Sequence, residues 1–286
     1  MRRLIDIGSN LLDTQFQGVY NGGVKHAPDL TQVIARAADC GVERIIVTAG
    51  CLQESKEALQ LARTSPSLFS TVGVHPTRCN ELAPDAAKHI AALRDVLDEG
   101  VQCNKLAGFE AQFDLCEYSG LPAFFHHRAC GPEFIEVLQR QQHRLKGGGV
   151  VHSFDGTLEE AQALIDAGLY IGLNGCSLKT DKNLEVIKAL QIDKILLETD
   201  APWCEIRPSH AGSKHVRTRW DTVKREKHQA VKGVTVKGRQ EPCHMHQVLE
   251  VVAAVKGVDE DHLADIVYTN TMKLFFPAEA VAAADS

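Results

Sequence analysis

The chain has no apolar run long enough to span a bilayer. Met1-Arg2-Arg3 is basic, but Asp6 comes too early in the next stretch to allow the apolar region of a secretory signal. There is no Cys-x-x-Cys pair. An odd set of nine scattered cysteines reads as free thiols in a reducing, intracellular compartment. No linker or low-complexity tract divides the sequence, so one domain is expected over residues 4–277, with a weakly structured tail, 278–286, after it. Positive charge is not in excess: 31 Lys and Arg against 37 Asp and Glu give a net −6. That excludes a protein that coats nucleic acid by bulk charge, while a local basic patch would escape the test. What remains is an ordinary soluble composition, 44% hydrophobic and 24% charged over 286 residues. Such a length suits one large α/β barrel or two small domains.

Short apolar runs alternate with longer amphipathic ones. "LIDIGSN" from Leu4, "RIIVTAG" from Arg44, "FSTVGVHP" from Phe69, "PAFFHH" from Pro122, "GGVVHSF" from Gly148, "YIGLNG" from Tyr170 and "KILLETD" from Lys194 are strand-like. Most lack alternation, as strands buried on both faces of a helix-covered parallel sheet must. Between them, "DLTQVIARAADCGV" puts Leu30, Val33, Ile34 and Ala37 on one helical face. "SKEALQLARTSP" has Ser55 as its candidate cap, and "TLEEAQALIDAG" has Thr157 and Glu160 at capping-box spacing. The order implies an α/β fold, a TIM-like (β/α) barrel. Seven strands can be counted where eight are wanted. Between His75 and Pro122 lie two helical patterns, roughly 85–98 and 104–118, and only "EGVQC" separates them.

The chemistry sits where strands end. Asp6, Gly8, Asn10, His75, His126, His127, Arg128, His152, Asp155, Asn174, Glu198 and Asp200 all fall there. In a barrel these ends converge on one face, where active sites form. Singly, each has an ordinary reading: a solvated histidine, a turn asparagine, an aspartate that fixes a loop. Together, strand ends carrying His, His and Asp form a set suited to Zn²⁺ or a similar divalent ion with a position left for water.

The segments "DIGSNL", "STVGVHPTRC", "FEAQFDLCEYSGLPAFFHHR", "GGVVHSFDGT", "YIGLNGCSLKT", "LLETDAPWC", "HAGSKHVRT", "QEPCH" and "NTMKLFF" resemble the TatD family of metal-dependent deoxyribonucleases, in its eukaryotic branch. The resemblance runs from residue 4 to about 276. It implies a barrel that hydrolyses phosphodiester bonds in DNA with a divalent cation (Mg²⁺, Mn²⁺ or Zn²⁺). By position it implies His126, His152 and Asp200 as metal ligands, with Asp200 and His152 at the chemistry and Glu198 auxiliary. His75 matches a histidine near substrate, and Arg128 adjoins a ligand position. His127 falls on the opposite side of its strand. A nuclear location is favoured by the same resemblance, with no membrane and no obligate protein partner.

Two departures stand out. Where some relatives begin with a metal-binding H-x-H, this chain has Gly8 and Asn10. The family's G-E-x-G-L-D strand, whose Glu bridges metals, has no counterpart: the match breaks after Glu99-Gly100 and resumes at about 103–106. Glu110 in "FEAQF" is assigned to a helix. The remaining ligands suffice for one ion, and a second would need the bridging Glu. A barrel lacking a strand is expected to be distorted or open and its activity impaired. After the last strand, the Lys/Arg-rich stretch 207–239 offers Lys214, Arg217 and Arg239 as phosphate contacts. The rival readings are a small-molecule amidohydrolase on the same barrel and a non-catalytic protein.

Overall fold

The structure, a computed structural model, describes residues 2–83, 85–110, 113–128, 130–230 and 233–284. The apolar runs become parallel strands β1 (Leu4–Ser9), β2 (Val42–Val47), β3 (Leu68–Val72), β4 (Leu106–Glu110), β5 (Ala123–His126), β6 (Gly149–His152), β7 (Tyr170–Leu173) and β8 (Ile195–Leu197). They lie in the sheet in chain order. The sheet closes at its C-terminal rim: Asp200 N–H donates to Gly8 O (2.8 Å) and Asn10 N–H to Ala201 O (2.7 Å). β1, β3, β6 and β8 are buried at every position, as strands sandwiched between a filled barrel and a helical shell must be.

Alternation along the strands sorts side chains into two cores. Ile5, Ile7, Ile46, Phe124, Val150 and Leu196 form an inner cluster that Phe275 and Phe276 join. Leu4, Ile45, Val47, Phe125, Val151 and Leu197 face outward onto the helices. The shell comprises α1 (Leu30–Asp39), α2 (Leu52–Ala62), α3 (Ala86–Gln102), α4 (Phe113–Ser119), α5 (Gly131–Gln141), α6 (Leu158–Asp166), α7 (Asp181–Ala189), α8 (Met245–Lys256), α9 (Glu260–Phe275) and α10 (Pro277–Ala284). At α6 the capping box is present: Glu160 N–H donates to Thr157 Oγ1 (3.2 Å) and Thr157 N–H to Glu160 Oε2 (2.7 Å).

The count of seven strands is corrected by β4. Its residues pair with β3 (Ser70 with Leu106, Thr71 with Gly108, Val72 with Phe109) and with β5 (Phe109 with Ala123, Glu110 with Phe124). "EGVQ" is instead the end of α3, with Cys103 as its C-cap, and the helix expected over 104–118 is confined to α4. The physical reason is the unfilled ladder. Each buried N–H or C=O left unpaired costs about 1–3 kcal/mol, more than the few tenths by which local propensity favours a helix. Glu110 therefore ends a strand rather than sitting in a helix, which also corrects its assignment. The vacancy that would have distorted or opened the barrel is filled.

Two smaller corrections concern local elements. α2 starts at Leu52, capped by Cys51 Sγ accepting from Glu54 N–H (3.4 Å), and Ser55 lies buried within it. Of the segment expected to be a weakly structured tail, 278–284 lie in α10, whose Glu279 pairs with Arg44 at 2.5 Å, and 285–286 lie outside the described residues. Among the described residues no helix is long and apolar enough to cross a membrane.

Candidate active site

β5 and β6 run in register so that His126 stands opposite His152. Both strands end at one level, and the rings meet: His126 Nδ1 is 2.8 Å from His152 Nε2. His75, in the turn after β3, packs edge-on against His126 with ring centroids 4.4 Å apart. Burial, then the charges of His152, His75 and Arg128, pushes His126 down to about 3. Its imidazole is thus neutral at ordinary pH, the form that ligates a cation. Burial lowers His75 as well, with His152 and Arg78 adding to it. Phe124 belongs to the inner cluster and Phe125 to the outer. His126 accordingly faces the rim of the barrel interior, while His127 faces outward and packs on Phe134 and Phe154.

The run "LLETD" answers from the other side of the rim. Glu198 is fully buried. Its Oε1 accepts from Ser153 N–H (2.5 Å) and Asn174 Nδ2 (3.0 Å) and lies 3.5 Å from His152 Nδ1. Its Oε2 has no hydrogen-bond partner among the described residues. Gly8 makes room for that oxygen: a Cβ built there would lie 2.6 Å from it. Asp200 is held on both oxygens, Oδ1 by Asn10 Nδ2 (2.9 Å) and Oδ2 by the Cys204 thiol (3.1 Å). Cys204 Sγ in turn lies 2.7 Å from Cys176 Sγ. Burial raises the Asp200 carboxyl; His152 opposes the rise and Glu198 adds to it.

Backbone strain concentrates at the same points. Ser153 (φ +52°) and Asp200 (φ +54°) both occupy the left-handed region, which costs a non-glycine residue about 1–3 kcal/mol. The bonds to Glu198 and from Asn10 hold them there. Asp6 is fully buried beneath, accepting from Thr199 Oγ1 (2.5 Å), Thr199 N–H (2.9 Å) and Gly8 N–H (3.2 Å). It ties β1 to the end of β8. Burial pushes its carboxyl up to about 8 against the pull of those donors.

The residues fit a divalent cation. Two imidazoles, of which His126 is neutral, a buried and a half-buried carboxylate, and an unpartnered carboxylate oxygen form a hard and borderline donor set. Among the described residues no guanidinium or ammonium is bonded to it. Among the described residues, three such donor atoms lie within 4.8 Å of one another only at His26, Asp29 and His228. His126, His152 and Asp200 therefore become one coordination sphere only if side chains adjust.

The His26–Asp29–His228 cluster is of another kind. Asp29 accepts from Arg239 on both oxygens (2.8 and 2.5 Å) and from His228 Nε2 (2.9 Å). Arg239 also donates to Glu241 (2.8 Å), which pairs with Arg36 (2.7 Å). Two guanidiniums already balance two carboxylates, and a cation there would face like charge.

Of the residues singled out in the sequence, His75, His126, His152, Glu198 and Asp200 come together, with Arg128 exposed at their edge. The three basic residues after β8 do not join them. Arg239 is buried in the cluster just described and cannot meet a phosphate, which corrects that expectation. Arg217 pairs with Glu260, which also binds Arg2 at the start of β1, the opposite end of the barrel. Lys214 is exposed on a 3-10 turn docked against α7 and α8. Asn10 is legible as a strand-end residue, whereas the roles of Cys204 and Trp203 at the site have little mark in the sequence. Only their proximity to Asp200 in the chain signals them.

The family described as TatD related DNase matches residues 5–276. A Schizosaccharomyces pombe protein named deoxyribonuclease Tat-D is 36% identical over 95% of each chain. A 3'-5' ssDNA/RNA exonuclease TatD from Erwinia tasmaniensis is 30% identical over 95% of this chain and 99% of its own. Among solved structures, a hydrolase TatD family protein from Entamoeba histolytica superposes with a TM-score of 0.87 at 30% identity, covering 96% of this chain and 99% of its own.

Proposed function

The chain belongs to the TatD related DNase family, and we propose that the strand-end cluster is its hydrolytic centre, cleaving phosphodiester bonds in DNA with a divalent cation. The hydrolase unit is residues 4–277. The observation that carries the reading is the meeting of two imidazoles, His126 and His152, with the half-buried Asp200 and the fully buried Glu198, one oxygen of which is unpartnered, at the C-terminal rim of a closed barrel. His126, His152 and Asp200 would hold the cation, with Glu198 beneath them.

When bound, the cation supplies Lewis-acid stabilisation of charge on the phosphoryl oxygens. The protein's own groups do the rest. Glu198 fixes the His152 ring through Nδ1 and holds the strained turn at Ser153. Asp200, with a raised proton affinity, accepts the proton of the attacking water at a carboxylate oxygen. Asn10 and Cys204 keep that carboxylate oriented. His75, edge-on to His126, and Arg128 face the scissile phosphate. One cation is proposed. A second would need the family's bridging carboxylate, for which the sequence offers no G-E-x-G-L-D motif. A nuclear location, where DNA is, belongs to the same proposal and is read by imaging the tagged full chain.

The test is cleavage of end-labelled DNA by purified protein with and without chelator, alongside elemental analysis. Cleavage should stop with chelator and return with Mg²⁺, Mn²⁺ or Zn²⁺. Chelator-resistant cleavage, or none by the parent under any of these ions, would overturn the reading.

A further inference from the structure

Beside the strand-end cluster runs a cleft of about 410 Å³, walled by the turn after β1, the start of α2 and the segment after β3. Asn10 and His75 line it, and they touch Asp200 and His126 respectively. Its volume falls in the range of about 300–1,000 Å³ that holds small ligands. Its charge is unexpected for a nuclease: Asp13, Glu54 and Glu57 line it against a single guanidinium, Arg78, which is bonded to Glu54 at 2.8 Å. A phosphate backbone would be repelled there. At its edge stands Trp203, 52% exposed although most large apolar side chains are buried. The indole sits on a pinned turn: Trp203 N–H donates to Asp200 O (2.9 Å) and Gln240 N–H to Pro202 O (3.0 Å).

We propose that this cleft takes an unpaired nucleobase of the substrate, with Trp203 as the stacking platform. The inference rests on the phosphodiesterase reading of the neighbouring cluster. A base is uncharged, so the carboxylates do not repel it, and it is planar, so the indole face recognises it. Thr14, Thr48 and Thr77 also line the cleft, and a hydroxyl that donates elsewhere, as Thr14 does to Val19 O and Thr48 to Asn10 Oδ1, still has lone pairs to accept from the edge of a base. The phosphate of the same nucleotide then falls toward His126 and Asp200, which His75 and Asn10 join to the cleft. Because a base in a duplex cannot leave its stack without a cost of a few kcal/mol, the cleft selects single strands or frayed ends.

Only two tryptophans are present, and the other, Trp220, packs on His244 with ring centroids 4.7 Å apart. In the full chain carrying Trp220→Phe, the fluorescence of Trp203 should be quenched saturably by a short single-stranded oligodeoxynucleotide in chelator. A covalently closed duplex dumbbell should not quench it. Trp203→Ala should raise KM for single-stranded DNA about 5- to 150-fold, the equivalent of about 1–3 kcal/mol for one stacked base, with a smaller change in kcat. Trp203→Phe should restore most of the loss. Equal quenching by the dumbbell, or a parental KM in Trp203→Ala at an unchanged melting temperature, would overturn the cleft alone. Quenching by single strands in a protein that never cleaves would keep the cleft and remove the hydrolase reading.

Discussion

Histidines and carboxylates meet twice in this barrel, and the two meetings differ in countercharge. Around Asp29 the acids are matched by Arg36 and Arg239, and the cluster pins α1 to the segment after β8. Around Glu198 and Asp200 there is no such cation among the described residues, an oxygen is unpartnered, and the backbone is strained. Proximity of donor atoms alone would choose the first as a metal site. Charge balance is the ground on which the second is proposed instead. A buried group whose countercharge is built in holds the fold together, and one without it is poised for a partner from outside.

The comparison is broken most severely at Arg239. Arg239→Met should leave Asp29 and Glu241 short of a countercharge and lower stability by about 3–5 kcal/mol. The urea midpoint should fall while activity per folded molecule stays at the parent level. Asp200→Asn should do the reverse. Activity should drop about 10²–10⁴-fold, and the melting temperature should hold or rise, because one of two neighbouring acids has been neutralised. Mn²⁺ should raise the melting temperature of the parent and not of this variant. Equal loss of stability in both variants would erase the distinction between the two clusters.

A smaller effect sharpens it through pH. His244, beside Glu241, is pushed down to about 4 by burial. The unfolded chain, with an ordinary value near 6.5, takes up its proton first. Stability should therefore fall as pH drops from about 6.5 toward 4, by up to about 3 kcal/mol. Urea titrations across that window should show His244→Gln flattening the dependence. The smallest effect is at Arg217. A phosphate contact would change the log–log salt slope of DNA binding by about 0.7–0.9, but Arg217→Ala should leave it unaltered, since Glu260 already holds that side chain.

Much of the barrel is legible because short β-branched runs, apolar on both faces, leave plain marks in "LIDIGS" or "GVVH". β4 is not, because "LAGFE" is short and reads equally as the first turn of the helix after it; only the need of β3 and β5 for a partner decides. The histidines and acids are legible as strand ends. Arg239 misleads because charge in a sequence carries no sign of burial, and its partner Asp29 lies 210 residues away. Trp203 escapes notice because an aromatic after a strand looks like core until its exposure is known.

The bare Cα of Gly8 has a consequence for what this rim can become. An imidazole on β1 and a carboxylate at 198 compete for one volume, since any Cβ at residue 8 would press on Glu198 Oε2. Gly8→His alone would add a donor by displacing one. Any side chain at residue 8 therefore requires the far end of Glu198 to swing aside, and with it the contacts that Oε1 makes to Ser153 and Asn174. Residues 8 and 198 thus share one volume at the rim, although 190 residues of chain separate them.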